Sequence, residues 1–316
     1  MNGETKARMT GLQAIITTPF FENGDINYDG LTNNTQMLIA KGVKWLTCTG
    51  TCGELASLTF DEYVQVIKTV CQSARGTDAI VVPGIGSSSL RTLIALANAA
   101  KEAGVHALMV IPPYYSPCKF SEAKAFFAEF AKNCRLPLQL YYYPQLHRMQ
   151  LTLDQLEELL SMPCFAALKD TSCDIVTYSQ VCTRMGDKIN IITGAGEYLV
   201  PDIIMAGGKG FISSIVNYAP EIPLAIAQAL DTGDYLKTAQ MRVLISPLMA
   251  ALNRWGSIDT IKKLMDKFGY CGGYVRLPEL STIKDEELEQ LLEIIIRIKA
   301  APVFLPESKK ETKCVA

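Results

Sequence analysis

One lysine follows directly after an apolar run in this sequence. Lys169 comes after Phe165–Leu168, a run typical of a strand buried in a parallel sheet. Burial disfavours the protonated amine and lowers the pKa of a lysine, and a neutral amine is the nucleophile that attacks a carbonyl to form an imine. The alternative is an ion pair of Lys169 with Asp170 or Glu54 at the rim of the fold. The spacing alone leaves both interpretations open.

A second segment of interest carries two glycines and reads Gly50-Thr51-Cys52-Gly53-Glu54. Glycines let the backbone approach a ligand closely, and free N–H groups at the start of a helix favour a carboxylate. The alternative is a tight turn between a strand and a helix, with a capping threonine.

Tyrosines and histidines are the other candidates. Tyr141 and Tyr115 could relay protons through their hydroxyls, although aromatic pairs beside proline are more often packing residues. His106 and His147 lack partners at the spacing of metal ligands. The sequence therefore predicts no bound metal, no metal-dependent aldolase chemistry and no cofactor.

Eight short apolar runs alternate with longer amphipathic segments, which predicts parallel strand-helix-strand units. Eight such units favour an α/β fold of the (β/α)₈ TIM barrel type; the alternative is an open sheet with extra helices. Helices are predicted at 60–74, 90–103, 121–134 and 153–160. Strands are predicted at 12–17, 43–48, 80–82, 107–111, 138–142, 165–169, 189–193 and 210–214.

After residue 222 the sequence is predicted to be wholly helical, with helices at 222–230, 235–253, 258–268 and 285–299. These helices are too many for the last turn of a barrel. The predicted organisation is a barrel core at 8–220, a helical C-terminal extension at 221–305 packed on the barrel, and a frayed Lys/Glu-rich tail at 306–316.

Composition narrows the classes of partner. The 316 residues carry a formal net charge of −2, and the charges are interspersed, which argues against nucleic acid and anionic membranes and for a small-molecule substrate. No apolar run reaches the roughly 18 residues that span a bilayer. The ten cysteines form no C-x-x-C pair, and no signal peptide is recognised, so free thiols in a reducing cytoplasm are expected.

In a barrel, the polar residues at the C-terminal ends of the strands converge on one mouth. Read in order, these positions resemble the N-acetylneuraminate lyase and dihydrodipicolinate synthase family of class I aldolases over roughly residues 8–300. The matching motifs are Thr-Pro-Phe at 18–20, G-T-C-G-E at 50–54, P-P-Y-Y at 112–115, L-Y-Y-Y-P at 140–144, A-L-K-D at 167–170 and G-G-K-G-F-I-S-S at 207–214.

The resemblance implies four catalytic roles. Lys169 forms an imine with the keto carbon of pyruvate or of a 2-keto acid that releases pyruvate. Tyr141 passes protons to and from the substrate, and Thr51 links Tyr141 to a second tyrosine, Tyr115. In the family that second tyrosine usually comes from a neighbouring subunit, so a homo-oligomer, typically a homotetramer, is implied.

The resemblance also implies the groups that bind substrate. The loop at 50–54 would hold the pyruvate carboxylate, and Thr171, Glu197 and Ser214 match positions by which the lyases hold a sugar chain. The substrate-binding residues implied in this way are Gly50, Cys52, Gly53, Thr171, Gly194, Glu197, Ile212 and Ser214.

Three positions depart from the family pattern. Cys52 stands where a threonine is usual, so carboxylate binding leans more on backbone amides. Leu146 stands where the lysine-pathway synthases place an arginine. The sialic acid lyases also have leucine at that position, and Arg148 does not match the arginine of the motif. Gly196 replaces an aspartate beside Glu197.

The predicted function is therefore a Schiff-base lyase acting on a sugar-acid-like 2-keto acid. The alternatives are a dihydrodipicolinate synthase that condenses pyruvate with aspartate semialdehyde, and a dehydratase or hydratase-aldolase that uses the same imine. A non-catalytic barrel that binds a keto acid is disfavoured, because Lys169, Tyr141 and Thr51 are all present.

Overall fold

The computed structural model describes residues 3–115 and 118–305, and the strands among them form one parallel sheet. The strands are β1 (Gly11–Ile15), β2 (Trp45–Thr47), β3 (Ile80–Val81), β4 (Gly84–Gly86), β5 (Leu108–Ile111), β6 (Leu138–Tyr142), β7 (Phe165–Asp170), β8 (Asn190–Thr193) and β9 (Gly210–Ser213). Their order in the sheet is β3-β2-β1-β9-β8-β7-β6-β5-β4. The eight predicted runs all contain strands.

The sheet closes through residues 80–86, where β3 and β4 are two parts of one strand. β3 pairs with β2, and β4 pairs with β5. Between them, the N–H of Val82 donates to the carbonyl of Leu46 at 2.9 Å, and the carbonyl of Pro83 accepts from Met109 at 2.9 Å. Proline has no N–H to donate to a ladder, so the strand is interrupted there. The (β/α)₈ TIM-type fold predicted from the sequence is confirmed.

Helices surround the sheet, and the eight that were predicted end within two residues of the predicted bounds. Thr59 and Thr152 cap two of them, and in each case the side chain three residues later bonds back to the cap. The helices are α1 (Gly3–Arg8), α2 (Tyr28–Ala40), α3 (Phe60–Ser73), α4 (Leu90–Ala103), α5 (Phe120–Asn133), α6 (Pro144–His147), α7 (Leu153–Leu160), α8 (Ile175–Met185), α9 (Val200–Ala206), α10 (Glu221–Asp231), α11 (Tyr235–Trp255), α12 (Ile258–Lys267) and α13 (Asp285–Ala300).

The C-terminal part is not wholly helical, which corrects the sequence analysis. Residues 268–284 between α12 and α13 contain no helix, and their backbone returns to the barrel. The N–H of Tyr274 donates to the carbonyl of Phe20 at 2.9 Å, and a Cβ on Gly273 would lie 2.5 Å from that same oxygen. Close backbone approach therefore breaks the helical pattern here.

The apolar interior has two layers. One fills the space between the sheet and the helices, and a smaller one lies inside the barrel, where Ile15, Met109, Ala167, Ile192 and Ile212 pack together. Below them, the buried side-chain amides of residues 13 and 139 bond reciprocally at 2.8 and 3.0 Å. Alternate residues of a strand share a face. The side chains of Tyr141 in β6 and Lys169 in β7, two positions after residue 139 and Ala167, therefore point to the barrel mouth.

Two further predictions meet the structure only in part. The nine cysteines among the described residues are free thiols, while Cys314 and the predicted frayed tail at 306–316 lie outside the described residues. Within 3–115 and 118–305, no helix combines the length and apolarity needed to cross a bilayer. The division of the chain at residue 220 stays a prediction.

Candidate active site

The C-terminal ends of the strands enclose a cavity of about 290 Å³. Eight of the twelve residues predicted for the site line it: Thr51, Cys52, Tyr141, Lys169, Gly194, Glu197, Ile212 and Ser214. The other lining residues are Ile15, Ala195, Gly196, Ile215, Met249 and Leu252. The last two belong to α11, so the C-terminal extension closes one side of this cavity.

Lys169 is buried in the cavity wall with its side chain against an aromatic ring. It lies in β7 opposite Tyr141 of β6, and its Nζ is 3.7 Å from the centroid of that ring. Burial lowers the pKa of Lys169 to about 7. The alternative ion pairs are not formed: Glu54 pairs with Lys262, and Asp170 Oδ1 accepts from the Ser172 N–H at 2.8 Å. The amine is therefore free to act as a nucleophile near neutral pH.

Tyr141 lies between Lys169 and an imidazole. Burial raises the pKa of the Tyr141 phenol to about 12, while the hydroxyls of Thr51 and Thr171 oppose that rise. The phenol is thus protonated at neutral pH. It can donate a proton to a substrate that is covalently attached to the neighbouring Lys169 amine.

His147 is the neighbour on the other side of Tyr141, and the sequence analysis assigned it no role. Its ring stands edge-on to the Tyr141 ring with the centroids 5.0 Å apart, and it is only 2% exposed. Burial, and then the charge of Lys169, lower the pKa of His147 to about 4, so it is neutral. Neither ring nitrogen has a hydrogen-bond partner of ordinary geometry among the described residues. Its place three residues after Pro144, which ends the tyrosine-proline run, was the available signal.

Two residues of the loop at 50–54, Thr51 and Cys52, line the same cavity. No backbone carbonyl of the described residues accepts from the middle N–H groups of the loop, those of Thr51, Cys52 and Gly53. A Cβ on Gly53 would lie 2.7 Å from the backbone nitrogen of Thr49, so only glycine fits there. Burial raises the pKa of the Cys52 thiol, which stays neutral. Free amides beside a neutral side chain suit a carboxylate ligand.

Gly194 and Thr171 form the wall behind the lysine. A Cβ on Gly194 would lie 1.9 Å from Thr171 Oγ1 and 2.9 Å from Lys169 Cε. Thr171 does not line the cavity, and its Oγ1 is buried without a hydrogen-bond partner of ordinary geometry in the described residues. Gly194 thus leaves the room in which the lysine side chain extends.

Glu197 is a buried carboxyl group that also lines the cavity. It accepts a short hydrogen bond from Ser213 Oγ, and burial raises its pKa to about 7. The preceding residue, Gly196, has φ 80° and ψ −159°, a conformation that is essentially restricted to glycine. An aspartate beside Glu197 would be strained in this backbone.

Besides Thr171, five predicted or considered positions do not line this cavity, and one of them, Gly53, lines neither this cavity nor the adjoining one. Tyr115 is 84% exposed and does not reach the cavity of its own subunit. Gly50 and Leu146 line an adjoining cavity of about 500 Å³, which shares Thr51 and Tyr141 with the first. Arg148 is exposed and lines neither cavity.

A buried charged pair behind the loop was not predicted from the sequence. Lys262 of α12 and Glu54 are fully buried and form an ion pair. Arg276, from the non-helical segment after α12, pairs with Glu62 at the start of α3. No local pattern marked these residues, because their partners are more than 200 positions away in the chain.

Comparison with known proteins agrees with this geometry. A profile described as the dihydrodipicolinate synthetase family matches residues 8–298. The chain is 30% identical over 291 residues to a 4-hydroxy-tetrahydrodipicolinate synthase of Methanoculleus marisnigri, covering 89% of this chain and 98% of the relative. It is 31% identical over 265 residues to 4-hydroxy-tetrahydrodipicolinate synthase 1 of Streptomyces coelicolor, covering 83% and 86%. The crystal structure of dihydrodipicolinate synthase from Oceanobacillus iheyensis superposes with a TM-score of 0.86 at 25% identity, covering 95% of this chain and 99% of that one.

Proposed function

The chain belongs to the dihydrodipicolinate synthetase family of pyruvate-dependent class I aldolases, and we propose that it forms its Schiff base on Lys169. The observation that carries this proposal is the buried amine, whose pKa is lowered to about 7, beside the Tyr141 phenol and the free amides of the 50–54 loop. A nucleophile, a proton donor and a carboxylate site then share one cavity.

The chemistry follows from these groups. The neutral amine of Lys169 adds to the keto carbon of pyruvate, and loss of water leaves a protonated imine. That imine withdraws electrons, so a methyl proton leaves and an enamine forms. The enamine carbon attacks an aldehyde, a C–C bond forms, and water releases the product 2-keto acid; cleavage is the reverse. Tyr141 supplies and removes the protons at these steps, and Thr51 links Tyr141 to the rest of the proton relay.

We propose that the aldehyde partner is uncharged and hydroxylated, so that the substrate for cleavage is a sugar-acid-like 2-keto acid. The charged side chains that line the cavity are Lys169, which is used as the nucleophile, and Glu197. The adjoining cavity is lined by Glu54, which is already paired, and by Glu279. A second carboxylate would therefore meet no free cation of the described residues, whereas Glu197 and Ser214 can bond hydroxyls.

The second candidate is 4-hydroxy-tetrahydrodipicolinate synthase activity, with aspartate semialdehyde as the aldehyde. The names of the relatives favour it. Leu146 disfavours it, because an apolar side chain stands where such synthases place the arginine that holds the semialdehyde carboxylate. A hydratase-aldolase or dehydratase would share the imine and differ in its products.

The assembly that we propose is a homotetramer in the cytoplasm. Tyr115, 84% exposed and distant from its own cavity, is placed to reach a neighbouring subunit and to complete the proton relay there. The free thiols of the described residues suit a reducing compartment.

Product analysis tests the choice of partner. The purified protein is incubated with pyruvate and either aspartate semialdehyde or a set of hydroxylated aldehydes, and separately with 2-keto sugar acids alone. Our proposal predicts that a 2-keto sugar acid releases pyruvate and that Lys169→Ala does not release it. Turnover of aspartate semialdehyde with kcat/KM at least about tenfold higher than that of every hydroxylated aldehyde would favour the second candidate.

A further inference from the structure

The 50–54 loop is bracketed by two uncommon backbone conformations. Thr49 has φ 52° and Glu54 has φ 55°, and neither residue is a glycine. Left-handed backbone costs conformational energy for such residues and persists only where the surrounding structure fixes it. Something outside the loop must therefore hold it.

Glu54 connects the loop to the C-terminal extension. Its carboxylate is buried, with Oε1 paired to Nζ of Lys262 and Oε2 accepting from the backbone N–H of Arg276 at 3.2 Å. Lys262 is itself fully buried and also donates to the carbonyl of Tyr274 at 2.5 Å. A buried carboxylate without partners is strongly disfavoured, so these contacts determine where the Glu54 side chain points.

Arg276 fixes the chain immediately after the loop. Its guanidinium group donates to the carbonyl of Ser57 at 2.9 Å and forms a two-point ion pair with Glu62, at 2.5 and 2.9 Å. Planar two-point pairing of this kind holds direction as well as distance. The turn at 55–57 is thus tied to the same arginine whose backbone N–H bonds to Glu54.

The ring of Phe20 supports both cations. Lys262 Nζ lies 4.4 Å and the Arg276 guanidinium carbon 4.2 Å from the Phe20 ring centroid. Two residues earlier, Thr18 Oγ1 donates to the carbonyl of Gly53 at 2.8 Å. The loop is therefore fixed from the segment after β1 and from the extension, while its middle N–H groups stay free.

We propose that Lys262 and Arg276 are positioning residues for substrate binding, which act through Glu54 to aim the N–H groups of the 50–54 loop at the pyruvate carboxylate. This inference rests on the proposed function, because that function assigns the loop to the carboxylate. Neither cation lines the cavity of Lys169, so each acts only through the loop. The C-terminal extension then serves pyruvate binding as well as stability.

The test is a double variant that removes both buried charges, Glu54→Gln with Lys262→Met, so that no unpaired charge remains to unfold the chain. Pyruvate is added over a range of concentrations, the imine is trapped with borohydride, and the intact chain is weighed. We expect the pyruvate concentration at half-saturation to rise by about tenfold or more, because displacing a binding group by about 1 Å is costly. KM for pyruvate should rise with it, while kcat at saturating pyruvate changes by less than about threefold.

The matched control is Lys267→Met, which removes an exposed ion pair with Glu289 from the same helix. It should leave the half-saturation unchanged. A double variant that folds with a lower thermal midpoint but a half-saturation within about twofold of wild type would overturn the positioning role, since that is the behaviour of purely structural residues. A wild-type protein that forms no adduct would instead overturn the proposed function, and this inference with it.

Discussion

The pH dependence of imine formation follows directly from the burial of Lys169. A lysine with the ordinary pKa of 10.5 would have about 1 neutral amine in 3,000 at pH 7. With its pKa lowered to about 7, about half of the Lys169 amines are neutral at that pH. The rate should therefore rise about tenfold for each pH unit below 7 and reach a plateau above it, because only the neutral amine attacks.

The assay is the rate of borohydride-trapped adduct at low pyruvate between pH 5 and 9. One other group in the cavity titrates in this range, because burial raises the pKa of Glu197 to about 7. The control is therefore Glu197→Gln, which should keep the inflection near pH 7. Two results would contradict control of the rate by the Lys169 amine: a rate that still climbs about tenfold per pH unit at pH 9, or loss of the inflection in the Glu197→Gln control.

Three further predictions concern single substitutions. Tyr141→Phe should slow turnover by about 10²–10⁴-fold, the usual scale for a positioned proton donor, and a loss below about tenfold in steady-state kinetics would make Tyr141 a packing residue. Gly194→Ala should reduce adduct formation by about 10²-fold, because its Cβ would lie 1.9 Å from Thr171 Oγ1 and 2.9 Å from Lys169 Cε; trapping at wild-type rates would contradict this. Lys169→Met should stabilise the fold at pH 7 by on the order of a few kcal/mol in denaturant unfolding. The pKa of Lys169 is lower in the folded chain than in the unfolded chain, so the unfolded chain binds more protons between pH 7 and 10.5. Wild-type stability therefore rises with pH across that window. A denaturation midpoint of Lys169→Met equal to that of wild type would argue against a desolvation cost of the buried amine.

Most of the barrel could be predicted because its strands are buried on both faces. Such strands form apolar runs that stand out between helical periods, and each of the eight runs contains most or all of one observed strand, whereas β4 lies outside them. The break at Pro83 was missed because the strand resumes after it with Gly84–Gly86, a run too short and too rich in glycine to be recognised. The non-helical segment at 268–284 was missed because its form depends on backbone contact with Phe20.

The candidate site was predicted where its residues end a strand, since that position alone directs them to the mouth. Lys169 and Tyr141 lie near the ends of β7 and β6, Glu197 lies in the segment that follows β8, and all three line one cavity. His147, Lys262 and Arg276 could not be found in this way, because each is defined by a partner brought near by the fold. That Tyr115 reaches the cavity of a neighbouring subunit stays a prediction.

Trapping with pyruvate and borohydride identifies the residue that forms the Schiff base. The wild-type protein is treated with both reagents, the intact chain is weighed, and the modified peptide is sequenced. Our account predicts one pyruvate-sized adduct per chain, located on Lys169 and absent from Lys169→Ala. An adduct on another lysine, or none in a protein shown to be folded, would contradict the assignment of Lys169 as the Schiff-base residue.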